Sequence, residues 1–357
     1  MKKVLLLLTV IIVVTFTSCK KDNNKVEPVQ PIEHRGVYIL NEGTFTYANS
    51  SLSYYDINGK TVTNHMFASV NGSPIGDVGQ SLTRIGDDLY IVVNNSKYIY
   101  KVDAKTIVYK AKLENFTSPR YMLPINENKA YVSDLESPGI WVVNLNTFSI
   151  NEFVEIGNST EAMVKIGDEV FVSNWSNYYL PGTSNKTVQV IDCVNDILVA
   201  EIEVAQEPNA MVVDKNNNIW VLCSGGYSGD KDPSLICIAP STRTILKRFD
   251  FNPTAGDYPS GLAIDGAGET LYYMNGTYSG LNVYKMSVDA DELPDNQFIT
   301  SDGMVFYNIK VDSVNGDIYV TNAKNYVENG TVERFASDGT QLDSFGVGIS
   351  PSFILFR

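Results

Sequence analysis

Tyr90-Ile91-Val92-Val93-Asn94 is the phrase on which the reading of this chain turns: an apolar run with an aromatic near its start and an amide at its end. It recurs. Earlier it appears as Val37-Tyr38-Ile39-Leu40-Asn41, and afterwards as Ala130-Tyr131-Val132-Ser133-Asp134 and Val170-Phe171-Val172-Ser173-Asn174. It continues as Ile219-Trp220-Val221-Leu222-Cys223, Leu271-Tyr272-Tyr273-Met274-Asn275 and Ile318-Tyr319-Val320-Thr321-Asn322. The final positions are spaced by 53, 40, 40, 49, 52 and 47 residues. Seven copies of one strand at such a period, each followed by turn residues and further short apolar runs, describe the blades of a β-propeller.

The neighbouring runs supply the other strands. One precedes each phrase (Ser81–Ile85, Tyr121–Ile125, Ala162–Ile166), a third follows it (Tyr98–Val102, Ile140–Leu145), and a fourth is more polar, as Ile107–Leu113 and Ile197–Val204. Polarity suits an outermost edge. Gly36 leads straight into the second-strand phrase, so the first blade lacks an opening strand of its own. The chain ends on Ser350-Pro351-Ser352-Phe353-Ile354-Leu355-Phe356, which reads like Ser118-Pro119-Arg120-Tyr121-Met122-Leu123. Residues 352–356 are therefore expected to close the ring by pairing into blade 1. The fold class is all-β, a seven-bladed propeller over residues 36–357.

The rest of the composition narrows function. The 357 residues carry a net charge of −14 with no clustered Lys or Arg, which argues against nucleic-acid binding. Lys2 and Lys3 precede an apolar run, Val4 to Phe16, too short for a stable membrane span, so residues 1–18 read as a signal peptide. Thr15-Phe16-Thr17-Ser18-Cys19 resembles a relaxed bacterial lipobox, in which Cys19 would be lipidated, and Lys20-Lys21-Asp22-Asn23-Asn24 is similar to the tether of Bacteroidetes-type surface lipoproteins. Residues 19–35 would be a flexible tether, with lipid the membrane contact and an outer membrane, exterior-facing location. Cys193, Cys223 and Cys237 have no metal-ligand spacing. They read as buried small hydrophobes, with a Cys223–Cys237 disulfide left open.

Propeller topology puts the connections into the first strands, and those from second to third strands, on one face. The second-to-third loops carry large aromatics: Phe45 and Tyr47, Trp175 and Tyr178, Tyr227, Tyr278 and Tyr326. Loops seldom carry such side chains unless they pack or bind, so this rim is the candidate ligand surface. Beneath it, the inner strands begin with a polar column, Gln80, Arg120, Glu161, Asn209, Ser260, Tyr307 and Ser352. The second strands end in another: Asn41, Asn94, Asp134, Asn174, Asn275 and Asn322. The second column could contact ligand or cap loop amides; Gln80, Arg120 and Glu161 are favoured for ligand.

Catalytic motifs are absent: there is no GxSxG, HExxH, CxxC pair or phosphate-binding Gly loop. His34 falls in the tether and His65 in an outer strand. The remaining route to an enzyme is a Ca²⁺ held by Glu161, Asn209 and Asp134, as in lactonase-like propellers, but the several carboxylates of a tight site are lacking. Asp230 and Asp232 do not have EF-hand spacing. Binding rather than catalysis is expected.

Several stretches carry a family resemblance. Asn41-Glu42-Gly43-Thr44-Phe45, Ser51-Leu52-Ser53-Tyr54-Tyr55-Asp56, Val92-Val93-Asn94-Asn95-Ser96, Phe116-Thr117-Ser118-Pro119-Arg120-Tyr121 and Asp257-Tyr258-Pro259-Ser260 resemble the YncE-like seven-bladed surface lipoproteins. The branch they most resemble captures vitamin B12 and related corrinoids and passes them to an outer-membrane, TonB-dependent transporter. That resemblance implies a corrinoid ligand and a transporter partner. A glycan- or protein-binding adhesion module is the alternative, because sugars and protein partners also favour Tyr, Trp and Arg, and a metal-dependent lactonase-like hydrolase is the third.

Overall fold

The structure, a computed structural model, describes residues 31–226, 232–252, 257–277 and 280–357. Continuous burial along each repeated phrase marks a strand that is covered on both faces, and such a strand needs a sheet packed on either side. Tyr90 and Val92 face one neighbouring sheet, whereas Leu89, Ile91 and Val93 face the other. The chain meets this demand by placing seven sheets around an axis. A buried apolar cluster lies between every adjacent pair, including the last and the first, where Tyr319 and Val332 meet Val37, Ile39 and Ile354.

Blade 2 shows the common plan: Gly79–Ile85 innermost, then Asp88–Val93, Tyr98–Asp103 and Tyr109–Leu113, all antiparallel. Turns from third to fourth strands are fixed by a side-chain oxygen that accepts two backbone N–H bonds. Asp56 takes those of Asn58 and Gly59, and Asp103 those of Lys105 and Thr106. The ring closes as expected. Pro351–Phe356 becomes the inner strand of blade 1, pairing Val37 with Phe356 and Ile39 with Ile354.

Four readings change. Blade 6 has three strands among the described residues, Ser260–Ile264, Thr270–Thr277 and Gly280–Ser287, and Ile299 makes only an isolated bridge to Val283 where a fourth would lie. Blade 1 has a very short outer strand, Thr61–Thr63. His65 lies beyond it in a left-handed conformation, capping the short helix Met66–Asn71 whose Met66 and Phe67 are buried against blades 1 and 2. Apolar anchors turned the chain inward before the strand could lengthen. Ile107 likewise sits in a turn at φ 59°, so the outer strand of blade 2 begins at Tyr109.

Part of the stretch expected to be a flexible tether packs on the propeller. Ile32 is buried and its N–H donates to Lys105 O at 2.8 Å, Tyr54 and Arg357 both donate to His34 O, and Arg35 pairs with Asp312. Lys105 and Asp312 stand in turns on the face opposite the second-to-third loops. Residues 1–30, with Cys19, lie outside the described residues, and no described helix is long and apolar enough to cross a membrane. Cys193, Cys223 and Cys237 are free and buried. Cys223 stands opposite Ser234 and Cys237 opposite Trp220, and burial pushes the Cys237 thiol up to about 12.

Candidate functional site

Six of the seven inner strands are broken at their first residues by β-bulges. Gly79 pairs with Val93 and Ser81 with Val92, which leaves Gln80 as the extra residue. The same shift leaves Asn209, Tyr307 and Ser352 extra, and sets Arg120 and Tyr121 together against one partner. A bulge re-aims the side chain it releases. Together with Glu161 and Ser260, these residues line one axial cavity of about 1130 Å³.

At its centre is a buried ion pair. Arg120 Nε and Nη2 donate to Glu161 Oε2 and Oε1 at 2.6 and 2.8 Å, and Nη1 donates to Gln80 Oε1 at 2.5 Å. Burial opposes the charge on Arg120, but the Glu161 carboxylate outweighs it and holds the guanidinium charged above its usual range. The guanidinium carbon also lies 5.4 Å from the Trp175 ring centroid, a cation–π contact that ties the floor to the rim. Trp175 Nε1 is buried and has no partner among the described residues.

Phe45, Trp175 and Tyr178 line the cavity at its rim with Tyr179, which packs edge-on to Tyr178 at 4.9 Å. Phe45 and Tyr178 are 67% and 78% exposed, so they offer apolar surface the fold leaves unburied. Tyr47 and Tyr326 are exposed but do not line the cavity, and Tyr326 packs instead against Tyr307. Tyr227 and Tyr278 lie outside the described residues.

The second column divides on the side of capping. Asp134 is fully buried away from the cavity and accepts from the Thr117, Ser118 and Glu136 amides and the Trp141 indole. Asn174 is equally buried, bonded to Ser159, Thr187 and Gln189. Asn94 alone of the column lines the cavity, and its amide is occupied by Ser118 and Pro119. Strand ends need their loop amides satisfied, and these side chains are within reach. The Ca²⁺ set of Glu161, Asn209 and Asp134 is thus not assembled: Asp134 is walled off and both Glu161 oxygens serve Arg120. Among the described residues no cluster of three or more His, Cys, Asp or Glu is placed to hold a metal.

Three charged residues in the cavity, Glu42, Glu207 and Lys310, escaped the sequence reading. Glu42 accepts from Tyr307 Oη at 3.0 and 3.2 Å, and Lys310 projects from the inner strand of blade 7. Burial holds the Glu42 carboxyl above its ordinary 4.5, with the Tyr307 hydroxyl opposing. A carboxyl raised by folding binds its proton more tightly in the folded chain. Stability therefore falls as pH rises from 4.5 through the raised value, and the loss persists at neutral pH. Glu42→Gln is expected to melt higher than wild type at pH 7, with the gap closing below pH 4.5. Equal gaps at both pH values would refute this.

The family model DUF5074, described as a domain of unknown function, matches residues 35–347. No curated protein matches the chain. Among solved structures, a quinonprotein alcohol dehydrogenase-like protein from Bacteroides thetaiotaomicron superposes with a TM-score of 0.70 at 17% identity, over 92% of this chain and 79% of that one. The periplasmic gluconolactonase PpgL of Pseudomonas aeruginosa gives 0.65 at 14% identity, over 90% and 99%. Hydrazine synthase of Kuenenia stuttgartiensis gives 0.59 at 12% identity, over 77% and 88%. At such identities, and with such different names, these likenesses establish the propeller and nothing about its chemistry.

Proposed function

Since the chain belongs to the DUF5074 family, a domain of unknown function, we propose from its axial site that it captures a large, amide-bearing ligand of the corrinoid class. Cys19 would hold it by lipid at the cell surface, where it would deliver ligand to an outer-membrane transporter. The single observation that carries the reading is the make-up of the mouth. Exposed Phe45, Tyr178 and Tyr179 surround a floor of Gln80, Arg120 and Asn209 in a cavity of about 1130 Å³. That volume exceeds the few hundred to about 1,000 Å³ of ordinary small-molecule pockets. A small lactone would leave most of it unfilled. A corrin ring is broad, flat and fringed with amides, so its faces suit the aromatic rim and its edges the Gln, Asn and Arg donors and acceptors. Rigid blades add little ordering cost on binding.

Calorimetric titration of the purified protein with cyanocobalamin and with cobinamide tests this directly, and heat at micromolar protein is expected from both. Trp175→Ala is expected to weaken cobalamin about tenfold or more with little change in melting, because Trp175 stands at the rim rather than in an inter-blade core. No heat with either corrinoid removes the reading. Heat instead with soluble oligosaccharides, lost on Tyr178→Ala, would install a glycan, for which the edge-packed Tyr178–Tyr179 pair is the suitable platform.

A further inference from the structure

We infer that Lys310 is an anion-recognition point in the channel, so that the ligand taken by this cavity carries a carboxylate or phosphate group. The inference rests on the axial cavity being a ligand site and adds a charge requirement to it.

The charges lining the cavity are Glu42, Arg120, Glu161, Glu207 and Lys310. Four are accounted for within the protein. Arg120 and Glu161 satisfy each other, Glu42 accepts from Tyr307, and Glu207 accepts from Ser224 Oγ at 3.4 Å. Lys310 makes no ion pair or hydrogen bond among the described residues. It is exposed to the solvent of the bore, so its ammonium is free to meet a ligand there. The wall around the bore is of mixed character, with Leu123, Met163, Met211 and Leu262 standing between the polar side chains that line the same cavity.

An unpaired ammonium on the wall of a ligand channel is a ready partner for an anion. Nothing in the fold requires one there. The residues three places into the other inner strands, counted from the polar column, are Thr83, Leu123, Val164, Val212, Ala263 and Leu355. None is charged, so the blade architecture is built equally well without Lys310. A compact point charge on a flexible stem suits a carboxylate or phosphate oxygen. Lys310 therefore asks the ligand for an acceptor.

The deciding experiment compares wild type, Lys310→Met and Lys310→Arg by thermal melting in millimolar citrate and in pyrophosphate, against sodium chloride of equal ionic strength. Wild type and Lys310→Arg are expected to melt several degrees higher in at least one of the two anions than in chloride, and Lys310→Met to show no such rise. Citrate alone would point to carboxylate, pyrophosphate alone to phosphate. An equal rise in Lys310→Met, or none in wild type, overturns the inference. Without added anion, Lys310→Met is expected to melt at or above wild type, which shows that the variant folds. A separate titration tests the corrinoid reading. Cyanocobalamin carries a phosphodiester and cobinamide does not, so Lys310→Met should weaken the former about tenfold and leave the latter unchanged. Wild type that responds to anions but binds neither corrinoid keeps Lys310 and discards the corrinoid. Wild type that binds both corrinoids but gains nothing from either anion does the reverse.

Discussion

Removal of residues 351–357 is expected to yield a chain that does not reach a cooperative native state. Pro351–Phe356 is the inner strand of blade 1, and its loss strips Gly36–Asn41 of one hydrogen-bonded edge. Ile354 is 2% exposed in the cluster between blades 7 and 1, Phe356 packs against the same cluster, and Phe353 and Leu355 pack against the one between blades 1 and 2. A buried Ile354 and three half-buried apolar side chains, at up to about 1.5–3 kcal/mol each, already approach the 5–15 kcal/mol by which a domain is typically stable. The core that they cover, Tyr38, Ile39 and Leu40, would be opened to water as well. Near-UV circular dichroism and gel filtration should report a loosened, expanded chain, and a sharp melt close to that of wild type would refute closure as the source of stability. Ile354→Asp is the point version, expected to cost roughly 4 kcal/mol or more in chemical denaturation because it buries an unpaired carboxylate.

The second large effect is at Glu161. Its side chain is 3% exposed and that of Arg120 14%, so Glu161→Ala leaves a guanidinium buried with only Gln80 and Trp175 beside it. Breaking a buried pair from one side costs about 3–5 kcal/mol, and the lower end is expected here because the pair borders an open cavity. Replacing both partners with Met should recover much of the loss, since two apolar side chains strand no charge. Urea denaturation of the two single variants and the double one checks this; additive losses would show that the residues act independently. In the Glu161→Ala protein the Trp175 stack loses its fixed guanidinium, so ligand affinity should fall further than stability alone explains.

Much of the fold was legible because it is written as a period. The phrase ending in Asn41, Asn94 and their counterparts must bury both faces, and only a ring of sheets does this for every copy while also using the strand left over at Ile354. The polar column was legible for a related reason. Pro119, Pro208 and Pro351 mark strand entries, and the residues after them reach the axis. What could not be read were the choices made in three dimensions. Asp134 and Asn174 look like Asn94 in sequence, but they turn to loop amides, and no local signal separates a cap from a ligand contact. Tyr47 and Tyr326 share the composition of Phe45 and Tyr178 but not their direction. His65 was misplaced because Met66 and Phe67 found a core to enter. Lys310 had a signal that could have been found: it is the one charged residue at its depth among the seven inner strands.

The strip from Ile32 to Arg35 has a bearing on how the molecule would stand. It grips the turns of Lys105 and Asp312, on the side away from Phe45 and Trp175. A stem attached there meets the underside of the disc, so a protein fastened at Cys19 would present its aromatic bowl outward, like a dish on a mast. Ligand would then arrive from the surroundings without first passing between the disc and the surface that holds it.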